Sequence, residues 1–167
     1  MTSIQWLDSI DVLDERSVIA HGILLDHHPW LHWTSQQHLK LLADRGVTIA
    51  HCPTVFSRRG IALNTFVAYL DSGVRMSIGT DTYPHNMLDE CRTAVIVARI
   101  IGQSVTDVDC VDVFNAATVG GANDLNRDDI GRLAVGCKDD FAIIDLTSPC
   151  KRTVREPPRS LIHLSCH

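Results

Sequence analysis

The chain alternates between helix-type and strand-type patterns of apolar residues. At the amino terminus, Ile4, Leu7, Ile10 and Leu13 recur at three-residue steps, which predicts a helix over residues 4–15. The next helix is predicted to begin at a cap formed by Thr34 or Ser35 and to end at Gly46. The same pattern predicts later helices over residues 62–72, 87–101, 108–117 and 120–125.

Three short apolar runs predict buried strands between these helices. They are Ser17–Ala20, which leads into His21, Val47–Ala50, which leads into His51, and Val74–Ile78, which leads into Gly79-Thr80-Asp81. Strands that alternate with helices through short loops indicate a parallel sheet or barrel with right-handed crossovers. The predicted class is therefore α/β.

The pattern changes near residue 130. Residues 131–136 predict a turn, and residues 140–145 predict a strand of a different, smaller β unit. We therefore expect two parts, residues 1–130 and residues 131–167. Within the second part, the basic, proline-containing tail over 149–159 has the composition of a solvated linker.

Each predicted strand ends at an ionisable residue. These residues are His21, His51 and Asp81, and their residue numbers increase by 30 from each to the next. In a parallel α/β barrel the carboxyl ends of the strands converge on one face, where the active sites of such barrels lie. Two imidazoles and a carboxylate at that face are suited to a divalent transition metal. The alternative is that they are hydrogen-bonded structural residues, since a period of 30 is ordinary for repeated β/α units.

Composition narrows the functional classes. Of the 167 residues, 45% are hydrophobic, 21% are charged and 5% are aromatic, and the formal net charge is -5. This balance argues against disorder and against binding to nucleic acid or an anionic membrane surface. The amino terminus has no signal-peptide pattern, and the six cysteines form no C-x-x-C pair. We therefore expect a cytoplasmic protein with reduced thiols and no membrane segment.

The short sequence motifs around the three strand ends resemble those of a known family. They are Ala20-His21-Gly22, Ala50-His51-Cys52-Pro53 and Gly79-Thr80-Asp81. In this order they resemble the amidohydrolase superfamily, in particular its cytosine deaminase-like branch, which includes adenosylhomocysteine and guanine deaminases and the triazine hydrolases. Residues 131–141 are similar to the segment in that branch where the chain leaves the barrel and re-enters a small β domain.

The resemblance implies the carboxyl-terminal part of a (β/α)₈ TIM-type barrel, strands six to eight, followed by the start of the small β domain. Asp81 matches the aspartate that binds the metal and shuttles a proton from the attacking water. His21 matches a histidine that ligates the metal or hydrogen-bonds the water and substrate. Both are therefore candidate catalytic and metal-binding residues, and His51 is expected near the substrate. The implied metal is a divalent ion, zinc in the first place, with iron as the alternative.

The implied reaction is hydrolysis of C–N bonds (deamination) or C–Cl bonds in nitrogen heterocycles through a metal-activated water. The partner is then a small heterocyclic substrate. Loop residues beyond the strand ends are expected to contact it, namely Trp30 after the first strand and Tyr83, His85 and Asn86 after the third. For His85, capping of the following helix is the alternative.

The sequence also departs from the family pattern. A barrel of this type needs about 250 residues, and this chain has 167. It lacks a His-x-His pair and a histidine followed three residues later by glutamate, so the metal site is expected to be incomplete. Two alternatives stay open. One is a truncated, catalytically incompetent gene product, whose unpaired strand edges favour homo-oligomers. The other is an iron enzyme with a two-His, one-carboxylate site formed by His21, His51 and Asp81.

Overall fold

A parallel three-stranded sheet forms the centre of the protein. The computed structural model describes residues 1–33, 35–83, 85–138, 140–145 and 156–164. The strands β1 (Val18–Ala20), β2 (Thr48–His51) and β3 (Arg75–Ile78) lie in the order β1-β2-β3, and both pairings are parallel. This observation confirms the α/β class with a parallel sheet.

Helices connect and cover the strands. Their bounds are α1 Ser3–Ser9, α2 His38–Asp44, α3 Pro53–Ser57, α4 Phe66–Asp71, α5 Met87–Gly102, α6 Cys110–Asn115, α7 Gly121–Asp124 and α8 Pro157–Leu164. A 3₁₀ turn covers Pro29–Leu31, and a π-helical segment, Ala116–Gly120, joins α6 to α7. Within the described ranges, no helix combines the length and apolar character that a bilayer crossing requires.

The core lies between the sheet and these helices. Val47 and Ile49 of the second strand region are fully buried, as are Phe66 and Tyr69 of α4 and Val95 of α5. The Tyr69 hydroxyl donates a hydrogen bond to the carbonyl oxygen of Gly22 at 2.6 Å. This bond ties α4 to the loop that follows β1, so the core reaches the backbone next to His21.

Several helix ends differ from their predicted positions. The helix α1 stops at Ser9, and Asp11 adopts a left-handed backbone, so the predicted helix over 4–15 is too long. The helix α2 begins at His38, where the Asp26 carboxylate accepts bonds from the backbone N–H groups of Gln37 and His38. A remote side chain thus replaces the predicted local cap. Thr34 and the turn predicted at Pro84 lie outside the described residues.

The two predictions for the carboxyl-terminal part also need correction. Residues 140–145 form no strand in the described structure, and Phe141 and Ile143 are exposed. A strand requires a neighbouring strand for its backbone groups, and none lies beside this segment among the described residues. The predicted linker over 149–159 ends in α8, whose Ile162 is fully buried. Residues 146–155 lie outside the described ranges, and the domain division at residue 130 stays a prediction.

Candidate active site

His21 and Asp81 lie together at the carboxyl end of the sheet. His21 directly follows β1, and Asp81 lies three residues beyond β3. The His21 Nε2 atom is 3.6 Å from Asp81 Oδ2, and both side chains are partly exposed. Both residues have a positive φ, 66° for His21 and 52° for Asp81. Non-glycine residues rarely adopt this conformation, and it is concentrated at functional sites.

Backbone pairing beyond the strand ends positions these residues. The His21 N–H donates to Ala50 O at 2.8 Å, and the Gly79 N–H donates to His51 O at 2.9 Å. Residues 30 apart pair between β1 and β2, whereas residues 27 apart pair between β2 and β3. The equal spacing in the sequence therefore does not give equal register. His51 pairs with Ile78, and Asp81 projects three residues beyond that level.

His51 occupies a different environment from the other two residues. Its side chain is buried, and its ring lies 6.0 Å from that of Phe66. Burial, together with a smaller effect of the nearby His21, lowers the pKa of His51 to about 3. The ring is therefore neutral near pH 7. Its Nδ1 atom is buried and has no hydrogen-bond partner in the described structure.

Phe56 is a site residue that the sequence did not single out. It lies on α3, and its ring meets the His21 ring edge-on at a centroid distance of 4.5 Å. The buried Glu90 of α5 holds α3 in place, because its Oε2 accepts a bond from the Thr54 N–H at 3.0 Å. Glu90 lies on the buried face of α5, so an acidic residue within an apolar stripe was the sequence signal that could have found it.

The donor atoms at this site fit part of a divalent metal site. His21 Nδ1 is buried without a hydrogen-bond partner in the described structure, and Nε2 lies close to the Asp81 carboxylate. A catalytic zinc normally takes three protein ligands and a water. Among the described residues, no group of three His, Cys, Asp or Glu side chains could hold a metal ion. The self-sufficient iron site of His21, His51 and Asp81 is therefore absent there.

The predicted loop residues take varied positions. Tyr83 is exposed, and its carbonyl oxygen accepts a long bond of 3.5 Å from Arg58. The His85 Nδ1 atom lies 2.9 Å from Thr80 Oγ1, one residue before Asp81. Asn86 caps α5, because its side chain accepts bonds from two backbone N–H groups of the first turn.

Trp30 lies apart from this group. Its side chain is exposed on the 3₁₀ turn, and its ring contacts that of His28 at 5.7 Å. The structure thus brings Asp81 and Phe56 each against His21 and buries His51 at the end of β2. The substrate contacts expected for Trp30, Tyr83, His85 and Asn86 stay predictions.

Sequence comparisons show which proteins the chain is similar to. A model of the amidohydrolase family matches residues 1–164. The 5-methylthioadenosine/S-adenosylhomocysteine deaminase of Natronomonas pharaonis is 35% identical over 150 residues, which are 87% of this chain and 32% of that protein. The 5'-deoxyadenosine deaminase of Methanothermobacter thermautotrophicus is 29% identical over 167 residues, 98% of this chain and 37% of that protein. The chain spans about a third of the length of the curated relatives it matches.

Solved structures with the same architecture include two zinc complexes. An adenosine deaminase from Xanthomonas campestris with bound zinc matches 97% of this chain and 36% of its own, with a TM-score of 0.85 and 28% identity. Atrazine chlorohydrolase from Arthrobacter aurescens, complexed with zinc, matches 98% of this chain and 35% of its own, with a TM-score of 0.79 and 25% identity.

Proposed function

Because this chain belongs to the amidohydrolase family, we propose that it supplies strands six to eight of a (β/α)₈ barrel and one wall of its active site. The observation that carries the proposal is the approach of His21 Nε2 to Asp81 Oδ2 at the carboxyl end of a parallel sheet. Active sites of such barrels lie at that end. Further metal ligands come from outside the described residues.

The proposed reaction is hydrolytic deamination of a nitrogen heterocycle, with hydrolytic dechlorination as the related chemistry. Relatives named as deaminases of adenosine-type compounds, together with the zinc-bound adenosine deaminase and chlorohydrolase structures, support this class. A purine nucleoside is the first substrate to test. The metal is zinc, which His21 and Asp81 would hold.

Each residue has a distinct role in this reaction. A zinc ion held by His21, Asp81 and further ligands would supply the Lewis acidity that makes water nucleophilic at neutral pH. The Asp81 carboxylate accepts the proton of the attacking water and returns it to the leaving nitrogen. His21 orients the water and substrate, and Phe56 covers one edge of its ring against solvent. The neutral His51 can hydrogen-bond the substrate but adds no positive charge.

The test is the Asp81→Asn substitution in a full-length enzyme that carries this chain as its carboxyl-terminal part. Asparagine keeps the volume of aspartate but cannot accept the proton, and it weakens the metal site. We expect kcat to fall by at least about 10²–10⁴-fold, the usual contribution of general acid–base catalysis. Metal content by mass spectrometry shows how much of the loss comes from the metal.

Cys52→Ala is the control for this test. Cys52 is buried beside His51, and burial raises the pKa of its thiol to about 11, so it stays protonated and chemically inert. Its loss should lower stability and leave kcat unchanged. If Asp81→Asn retains more than about a tenth of the wild-type kcat, a smaller loss than a general base explains, the proposed function is wrong.

A further inference from the structure

Two exposed arginines directly follow the helix that borders the proposed active site. Arg58 and Arg59 directly follow α3, the helix that carries Phe56 against His21. We propose that these two side chains bind an anionic group of the substrate, so that the substrate is a nitrogen heterocycle bearing a carboxylate or phosphate. This inference rests on the proposed function and names a substrate class for it.

Arg59 is held beside His21 through an aromatic ring. Its guanidinium carbon lies 5.9 Å from the centroid of Phe56, and the Phe56 ring in turn meets His21 at 4.5 Å. A cation–π contact of this kind orients the guanidinium without neutralising its charge. The charge of Arg59 therefore stays available within two contacts of the candidate catalytic histidine.

Arg58 contacts the loop that carries Asp81. One of its Nη atoms donates to the Tyr83 carbonyl oxygen at 3.5 Å, and Tyr83 lies two residues after Asp81. This is a long, exposed bond to a neutral acceptor, and it leaves most of the five N–H donors of the guanidinium free for a ligand. Arg58 thus links the loop after β2 to the loop after β3.

The charges of these arginines are not balanced by carboxylates in the structure. Within the described ranges, ion pairs with Asp or Glu are formed by Arg16, Arg45, Arg92, Arg127 and Arg159. Neither Arg58 nor Arg59 has such a pair there, although both are exposed on one loop. Asp81, the carboxylate of the site, is instead directed at His21.

The surroundings of the two arginines define the kind of ligand that fits. A cavity of about 280 Å³ opens against His21 and Phe56 and is lined mostly by aliphatic side chains, Ile19 and Ile61 among them. An apolar cavity of this kind suits a flat, weakly polar ring. The described lining of this cavity includes neither arginine, but both lie in the chain between two of its lining residues, Phe56 and Ile61. Guanidinium groups match the planar oxygen pairs of carboxylates and phosphates, which they bind bidentately. Together they fit a ring with an anionic substituent.

The experiment compares four probes on the whole chain at low ionic strength. The probes are adenosine 5'-carboxylate, adenosine 5'-monophosphate, the neutral adenosine 5'-carboxamide and inorganic phosphate, titrated while the arginine Nε–H resonances are followed by NMR. We expect at least one anionic nucleoside to bind about 10-fold more tightly than the carboxamide, as a charge-assisted pair at a partly exposed site allows. The nucleoside with the larger gain identifies the anionic group.

Two variants assign the effect to these residues. The double substitution Arg58→Gln and Arg59→Gln should remove the preference for the anion and leave the carboxamide affinity unchanged. Arg16→Gln removes one positive charge from an exposed arginine paired with Asp14, and it should leave the preference intact. Circular dichroism spectra that match the wild type show that the double variant is folded.

The outcomes separate this inference from the proposed function. Equal affinity for the carboxamide and both anionic nucleosides overturns the anion site and leaves the proposed function standing. Inorganic phosphate that binds as tightly as both anionic nucleosides overturns the assigned substrate class, since the ring then contributes nothing. If none of the four probes binds, the anion site is overturned, whereas the proposed function is decided by the kcat of Asp81→Asn in the full-length enzyme.

Discussion

His21 and Asp81 both have a left-handed backbone conformation, which is sterically unfavourable for residues other than glycine. A left-handed φ costs a non-glycine residue roughly 1–2 kcal/mol, and here it occurs at both members of one side-chain pair. Gly22 follows His21 with a φ of 56°, and a Cβ there would lie 2.8 Å from Ile49. The turn after β1 is thus built around a close approach to the core, and it directs His21 toward Asp81.

Glu90 provides a test of how the candidate site is supported. It is buried and accepts a bond from Thr54 N–H, at the start of the helix that carries Phe56. We expect Glu90→Ala to lower the free energy of unfolding by about 1–3 kcal/mol, because a buried backbone donor loses its partner. Urea denaturation measures this change.

The conservative variant Glu90→Gln serves as the matched control. Its amide oxygen can still accept the Thr54 bond, so we expect it to lose less than about 1 kcal/mol. If Glu90→Ala is as stable as the wild type, Glu90 does not hold α3. If the two variants lose the same amount, the bond to Thr54 is not the cause.

His38 gives the protein a pH-dependent stability. Its Nδ1 accepts the Asp26 N–H at 3.1 Å, and Nε2 lies 2.7 Å from Thr2 Oγ1, so the neutral ring carries its proton on Nε2. Burial lowers the pKa of His38 by more than the nearby Asp26 raises it. Because the unfolded chain then binds protons more readily, this contribution to stability is complete above about pH 6.5 and declines as the pH falls below it.

The measurement is the free energy of unfolding at about pH 7.5 and about pH 5, on either side of the ordinary histidine pKa. We expect the wild type to lose more stability on acidification than His38→Gln, whose side chain does not titrate. The same loss in both proteins would show that His38 does not titrate below its ordinary range in the folded chain.

At the scale of elements, the π-helical segment packs directly against the edge of β3. A Cβ added to Gly120 would lie 2.3 Å from the Met76 carbonyl oxygen, whereas one added to Gly121 would meet nothing within 4 Å. We expect Gly120→Ala to lower the free energy of unfolding by about 1–3 kcal/mol through overpacking. Gly121→Ala should raise it by about 0.4–1 kcal/mol, because alanine reduces the freedom of the unfolded chain.

This neighbouring pair tests the packing by thermal or urea denaturation, since both residues have helical backbone and the same side-chain change. Comparable stability of the two variants would mean that the segment does not approach β3 as closely as described.

At the scale of the whole molecule, the described chain presents only part of a metal site. Two donor groups, His21 and Asp81, converge, and no group of three is present among the described residues. We therefore expect the isolated chain to bind zinc more weakly than about 1 μM, since a closed catalytic site uses three protein ligands. Isothermal titration calorimetry with zinc measures this affinity.

His21→Ala and Asp81→Ala are the control variants, and each should weaken the residual binding. Nanomolar one-to-one binding that survives removal of the cysteines would contradict the partial site and require a complete ligand set within this chain.

Local patterns in the sequence determined the order of strands and helices and the residues at the strand ends. Short apolar runs and apolar residues at three-residue steps are patterns among neighbouring residues. They can therefore be recognised in the sequence without knowledge of the tertiary structure. The predicted strands differ from β1, β2 and β3 by one residue at their ends. The sequence motifs around His21, His51 and Asp81 also indicated the family that the comparisons established.

Contacts between distant residues decided the rest. Register depends on how two strands pair. Paired residues of β2 and β3 differ by 27 in number, so His51 lies beside Ile78, and Asp81 lies three residues farther along the chain. Phe56 contacts His21 from a helix whose first turn is bonded to Glu90, 34 residues after Phe56 in the chain. Residues 140–145 have a strand-like sequence and no strand, because backbone pairing needs a partner that local sequence does not specify.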